Sequence, residues 1–276
     1  MIAGLTWPAG LFAASGDRPG FKSGLPTQEE LYQWPCIVKF HIGGLNLCIN
    51  KVVILEFAVA AIAALLFILA FRKPKVVPRG GQNLMEALYD FVARDAVEGV
   101  IGRKGLMWQP YLTILFIFTF LISLMEVVPG IQFPISSRFA VPLFLAVGSW
   151  VVYNLAGIRE KGFGHYWKGV LFPPGVPKFA YVILTPIEFL TVLVLRPATL
   201  AIRLFANFFA GHVLLVVFFL GTAYLVAMPL TIPFALASLV LSVALVGLEI
   251  FIAAVQAYVF TLLTAVYITL SISEEH

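Results

Sequence analysis

One arginine constrains this chain more than any other residue. Arg203 lies inside RPATLAIRLFANFFAGHVLLVVFFL (196–220), a stretch long and apolar enough to cross a membrane, with Asn207 four residues on and His212 nine residues on. A guanidinium keeps its proton in any protein environment. Holding that charge at bilayer depth costs roughly 2.5–3.5 kcal/mol on insertion scales, so an intramembrane arginine is read first as a functional group.

The rest of the composition agrees with a membrane setting. The 276 residues are 61% hydrophobic and 12% charged, with a mean hydropathy of +0.98. Soluble domains carry about 25% charged residues, so composition excludes a soluble enzyme and predicts an integral membrane protein. The net charge of +4 is too small to suggest nucleic-acid binding. The only cysteines, Cys36 and Cys48, form no metal-binding spacing, and the four histidines are scattered, so neither metal nor cofactor is expected. The two cysteines are either a disulfide, if that region faces an oxidising compartment, or unrelated thiols.

In order, residues 1–51 read as an extracytoplasmic segment rich in Gly and Pro, with a short helix near Gln28–Trp34. Val52–Phe71 is the first span, closed by Arg72, Lys73 and Lys75. Residues 82–101 place Leu84, Leu88, Phe91, Val92 and Val100 at helical spacing, against a ladder of Glu86, Asp90, Arg94 and Glu98. That pattern predicts an amphipathic helix on the cytoplasmic surface. Residues 110–128 and 139–158 form a hairpin of spans, and Arg159–Lys178 returns as a basic loop. Two very long segments, 179–227 and 231–271, follow on either side of a proline-containing break.

The predicted fold is therefore an all-α integral membrane protein. Five helices cross the bilayer, one amphipathic helix lies on its cytoplasmic face, and residues 52–276 form the membrane domain. The last two helices would measure roughly 70 and 60 Å if unbroken, against a hydrocarbon core of about 30 Å, so they are kinked or strongly tilted as a hairpin. Pro186 and Pro197 mark where the first would kink. Cytoplasmic segments 72–104 and 159–178 carry 7 and 4 Lys/Arg residues, against 5 in the outer segments 1–51 and 129–138. That bias predicts an outer N-terminus and a cytoplasmic C-terminus.

Inside the last two helices the polar residues align. Arg196 and Arg203 are seven apart and differ in direction by about 20°, and Asn207 lies about 40° further round, so the three share one stripe. His212 falls on the opposite face. Glu249 and Gln256, again seven apart, share a face of the next helix, while Ala206, Ala210 and Gly211 would admit a neighbouring backbone. Each residue has a plainer reading: Arg203 neutralising Glu188 or Glu249, His212 packing as a satisfied side chain, Glu249 and Gln256 acting as structural hydrogen-bonders.

RLFANFFAGH (203–212), followed by Glu249, Gln256, Tyr267 and a SEEH terminus, resembles subunit a of the F-type ATP synthases, over roughly residues 50–276. The resemblance implies a non-catalytic stator subunit in a bacterial plasma membrane. Its partners would be a rotor ring of c subunits, b-type peripheral stalk subunits, the remainder of the synthase and membrane lipid, with no nucleic acid. It implies that Arg203 separates two aqueous half-channels. His212 and Glu249 would serve proton uptake from outside, and Glu188 and Arg196 would serve release to the cytoplasm, with Asn207 and Gln256 along the path. Many bacterial members carry an acid at the position of His212 and a histidine at that of Glu249; the exchange here is similar to the mitochondrial form and still supplies one imidazole and one carboxylate. No nucleotide-binding loop is present, so ATP chemistry would reside on partners. A secondary transporter and a proton-pumping subunit of a respiratory complex are the alternatives; no repeat or matched pair of broken helices favours the first.

Overall fold

The structure is a computed structural model that describes residues 38–42, 45–49, 51–71, 80–127, 139–172, 179, 181–226 and 231–273. The chain divides into two compact units, Met1–Val53 and Ile54–His276. In the first, β1 (Val38–Ile42) pairs antiparallel with β2 (Leu45–Ile49), with Val38 opposite Ile49 and Ile42 opposite Leu45. This hairpin is not among the elements expected from the sequence, although a Gly–Gly pair between two apolar runs is the composition that two-residue hairpin loops favour. The expected helix near Gln28–Trp34 and the Cys36–Cys48 pairing fall outside the described residues.

Among its described residues the second unit contains helices and no strand. Its elements are α1 (Lys51–Phe71), α2 (Gly81–Val92), α3 (Gln109–Val127), α4 (Ala140–Lys161), α5 (Phe163–Leu171), α6 (Tyr181–Leu190), α7 (Arg196–Val226) and α8 (Ile232–Ile272). Five stretches are long and apolar enough to cross a membrane: Val53–Ala70, Gly105–Met125, Ala140–Lys161, Tyr181–Val226 and Ile232–Ile272. The last two have 46 and 41 residues. Rods of that length, at about 1.5 Å per residue, fit a ~30 Å apolar layer only when steeply oblique.

Between α6 and α7 the helix does not break. It widens over Thr191–Leu195, where the Arg196 N–H reaches back five residues to the Thr191 carbonyl. The interruption thus falls between Pro186 and Pro197 rather than at either. Pro197 has no N–H to continue the ladder, and a wide turn spreads that defect over one extra residue.

The core gathers where α2, α3, α4 and α8 meet, around Val97, Leu112, Tyr153, Ala257, Ala265 and Ile268, all essentially inaccessible. On α8 the buried positions include Ala253, Ala257, Thr261, Thr264, Ala265 and Ser271. Lipid is as apolar as leucine, so helices in a membrane associate through close backbone approach, which small residues permit. The amphipathic segment meets this core edge-on. Met85 and Val92, with Ala96 and Val97 in its wide-turned continuation Ala93–Ile101, are buried, while Leu84 and Phe91 remain exposed. Part of the predicted apolar stripe therefore packs on its own chain.

The predicted basic loop after α4 contains a helix instead. Gly162, at φ +81°, takes the left-handed turn that starts α5, and its N–H bonds Ile158 O at 2.8 Å. Tyr166 then buries its ring on Gly157 and donates its hydroxyl to Asn154 Oδ1 at 2.9 Å. Burial pushes this phenol above its usual range, so it stays a donor. A nine-residue helix is too short to declare itself by periodicity, which is why the loop reading failed. A Cβ on Gly157 would lie 2.6 Å from Tyr166 Cδ2 and 3.0 Å from Ser271 O. Gly157→Ala is expected to destabilise the assembly by about 1–3 kcal/mol, read as a lower midpoint for thermal inactivation in detergent; an unchanged midpoint would contradict this packing.

Candidate functional site

Three helices build the site. α7 and α8 run antiparallel in one register, fixed by a hydrogen bond from Thr222 Oγ1 to Ser238 Oγ at 2.9 Å and by the seating of Glu249 on Gly211. That register sets Gln256 level with Leu204, beside Arg203 in sequence. α3 closes the third side with Ser123.

Arg203 itself points away from this packing. Leu200, Ala201, Leu204, Phe208, His212 and Leu215 are the buried face of α7, whereas Arg203 is exposed with Ile202, Ala206, Phe209, Ala210, Val213, Leu214 and Val217. Among the described residues no carboxylate pairs with it, so the self-neutralising alternative is not what the fold makes. The flank around it is apolar, with small side chains one turn on, at Ala206, and two turns on, at Ala210. His212 lies on the buried face, opposite Arg203, as the spacing predicts.

Glu249 occupies a chamber of about 190 Å³ lined by Ser123, Asn207, Phe208, Gly211, Leu248 and Ala253, among others. It is 8% exposed, and neither carboxylate oxygen has a hydrogen-bond partner among the described residues. A Cβ on Gly211 would collide with its Oε1 and stand 3.1 Å from its Cδ. Gly211 is thus a glycine because the carboxylate needs its space. The chamber brings Glu249 together with Asn207, one turn from Arg203. It does not bring in His212, which is buried nearby without hydrogen bonding Glu249. Gln256 is buried too, and among the described residues its Nε2 has no hydrogen-bond partner, nor has Thr119 Oγ1 on α3.

Glu188 and Arg196 lie on the other side of Arg203 along the chain, both half-buried. The Arg196 guanidinium stands 5.4 Å over the Tyr267 ring, a cation–π contact that shelters a charge at low solvation. Ser123 and Thr119 escaped the sequence reading. Their signal was present, a serine and a threonine four apart on an otherwise apolar span; Ser123 spends its proton on Thr119 O at 2.6 Å.

The sequence profile of the ATP synthase A chain family matches residues 52–269. The chain belongs to the ATP synthase A chain family. Among its relatives in that family is the ATP synthase subunit a of Frankia alni, 46% identical over 244 residues, covering 88% of this chain and 84% of that one. The protein of the same name from Parafrankia sp. is 45% identical over 267 residues, 96% and 89% of the two chains. That of Rhodospirillum rubrum is 35% identical over 232 residues, 84% and 92%. Membership of the A chain family, with five membrane-capable helices, makes this a bacterial-type membrane subunit of an ATP synthase and sets aside the transporter and respiratory-complex alternatives.

Proposed function

We propose that this chain is the proton-conducting stator of a rotary F-type synthase, coupling proton flow to rotation of a ring of c subunits. The observation that carries the reading is Arg203, a permanent cation exposed on an apolar helix flank with no anion to meet it among the described residues. Such a charge is tolerated in lipid only if a partner supplies the counter-charge. Carboxyl groups carried past on a rotor would do so. Protonated, they cross lipid at little cost; beside Arg203 their ionised form is favoured by roughly 1.4–4 kcal/mol, and the proton leaves.

Two separate polar routes serve that exchange. The chamber of Ser123, Asn207 and Glu249, with His212 and Gln256 alongside, delivers protons from the outer side. Glu188 and Arg196 receive them toward the cytoplasm, while Arg203 between them repels a proton taking the direct route. The basic segments flanking α1 and following α4 set the N-terminus outside and the C-terminus inside. Peripheral stalk subunits of b type hold the chain against rotor torque, and ATP is made on other subunits; the chain itself catalyses no bond change.

Cysteine substitution tests the central contact. Ala206→Cys and Ala210→Cys, on the exposed flank, are expected to form disulfides with cysteines placed beside the rotor carboxyl when the membrane-embedded complex is oxidised. Cross-linking of the buried positions Leu204→Cys or Phe208→Cys instead would show that a different face meets the rotor and would sink the proposal.

A further inference from the structure

We infer that Trp150, with Tyr153 beside it, is a positioning residue for the arginine stripe: from α4 these two side chains hold open the helix widening at Thr191–Leu195, and the widening is what brings Glu188 into line with Arg196 and Arg203. The inference rests on the proton-path reading of Glu188 and Arg203 given above, and adds the device that aligns them.

The need for alignment follows from counting. Glu188 and Arg196 are eight residues apart, which on a regular helix is an offset of about 80°. One wide turn absorbs one residue, so the effective separation is seven and the offset falls to about 20°. By the same count Glu188 comes within about 40° of Arg203. Without the widening, the acid would turn away from the guanidinium nearest to it.

The need for a clamp follows from hydrogen bonding. The Arg196 N–H, the ordinary donor to Val192 O, bonds Thr191 O instead, and the next residue, Pro197, has no N–H to give. Val192 is 1% exposed, so its carbonyl is stranded in a dry place. Two donors from α4 capture it: Trp150 Nε1 at 2.9 Å and Tyr153 Oη at 3.4 Å. An indole N–H can only donate, so Trp150 is matched to a stray carbonyl and to nothing else here. The clamp also reaches the far end of the widening. The Tyr153 ring lies 5.4 Å from that of Tyr267, and Tyr267 carries the Arg196 guanidinium on its face. Both borders of the widened segment are thereby tied to one aromatic cluster.

The experiment uses membranes containing the assembled synthase. Trp150→Phe keeps an aromatic ring but removes the donor. It is expected to slow proton-driven ATP synthesis about fivefold, the scale of one net hydrogen bond, with ATP hydrolysis by the catalytic subunits and the amount of assembled complex unchanged. The readout that a merely structural role would not move is rescue by deletion. Removing Val194, an exposed residue of the widened segment, closes it to a regular turn while leaving Glu188 seven residues before Arg196. Deletion of Val194 in the Trp150→Phe background is expected to restore at least half of the lost rate. If Trp150→Phe lowers the amount of complex, Tyr153→Phe with and without the deletion takes its place. A wild-type rate in the Trp150→Phe, Tyr153→Phe double variant overturns the inference, and so does a slow variant that the deletion fails to accelerate. If Arg203→Lys proves fully active, the function itself is misread; if Arg203→Lys is inactive and the double variant is not slowed, only the clamp is wrong.

Discussion

Arg203→Lys is expected to abolish proton-driven ATP synthesis, to below about 1% of the wild-type rate, in membranes that still contain the assembled complex. The two side chains carry the same formal charge, and only the setting separates them. Arg203 sits on an exposed flank among Ile202, Ala206, Phe209 and Ala210, a surface that meets lipid or a partner helix rather than water. There an ammonium can surrender its proton to the very carboxyl it should ionise, whereas a guanidinium cannot. Losing even ~3 kcal/mol of preference for the ionised rotor carboxyl lowers a rate more than a hundredfold. Assembly should survive, because Arg203 makes no hydrogen bond or ion pair within the described residues whose loss could unfold the chain. Arg203→Ala should go further and raise passive proton leakage, since the charge that bars the direct route is gone. ATP synthesis, ATP-driven acidification and passive leakage, normalised to complex detected in the same membranes, separate these outcomes. Normal synthesis in the lysine variant would remove the basis of the proposed mechanism.

How far the chain could be read without coordinates follows from what each feature depends on. Spans and the arginine stripe are local properties, set by apolar runs and by the 100° step of a helix, and they were legible. The opposition of Arg203 and His212 on α7 is of this kind. Features that depend on a partner element were not. Nothing in LTVLVLRP announces a widened turn; the proline warned of a defect, but its form depends on donors forty residues away on α4. The helix α5 is seated by Tyr166 on Gly157 of α4, a contact between two helices that the periodicity of neither reveals. Likewise the sequence put His212 and Glu249 on facing helices, while only the register of α7 and α8 shows that the carboxylate docks one residue short of the imidazole, on Gly211.

That docking makes Gly211 the position where the smallest change should have the next largest effect. Gly211→Ala adds one methyl group, yet it collides with Glu249 Oε1 and stands 3.1 Å from Cδ, so the far end of the glutamate side chain has to move. The carboxylate must therefore swing out of the chamber it shares with Asn207 and Ser123. If Glu249 passes protons toward Arg203, displacement should act like loss of the group. Gly211→Ala and Glu249→Gln are each expected to lower proton-driven synthesis at least tenfold, a floor set below the roughly 10²–10⁴-fold that a positioned proton-transfer group contributes. A packing defect and a proton-path defect can be told apart by shortening the acid. Glu249→Asp withdraws the carboxylate by about one methylene, which makes room for the new methyl group. Gly211→Ala with Glu249→Asp should then conduct better than either Gly211→Ala alone or Gly211→Ala with Glu249→Gln. The rates are read as proton uptake into vesicles energised by a potential, with the catalytic subunits stripped so that rotation alone is limiting. Were the glutamine double variant to recover as well as the aspartate one, Glu249 would be relieving strain rather than carrying protons, and the outer path would have to run through His212 without it.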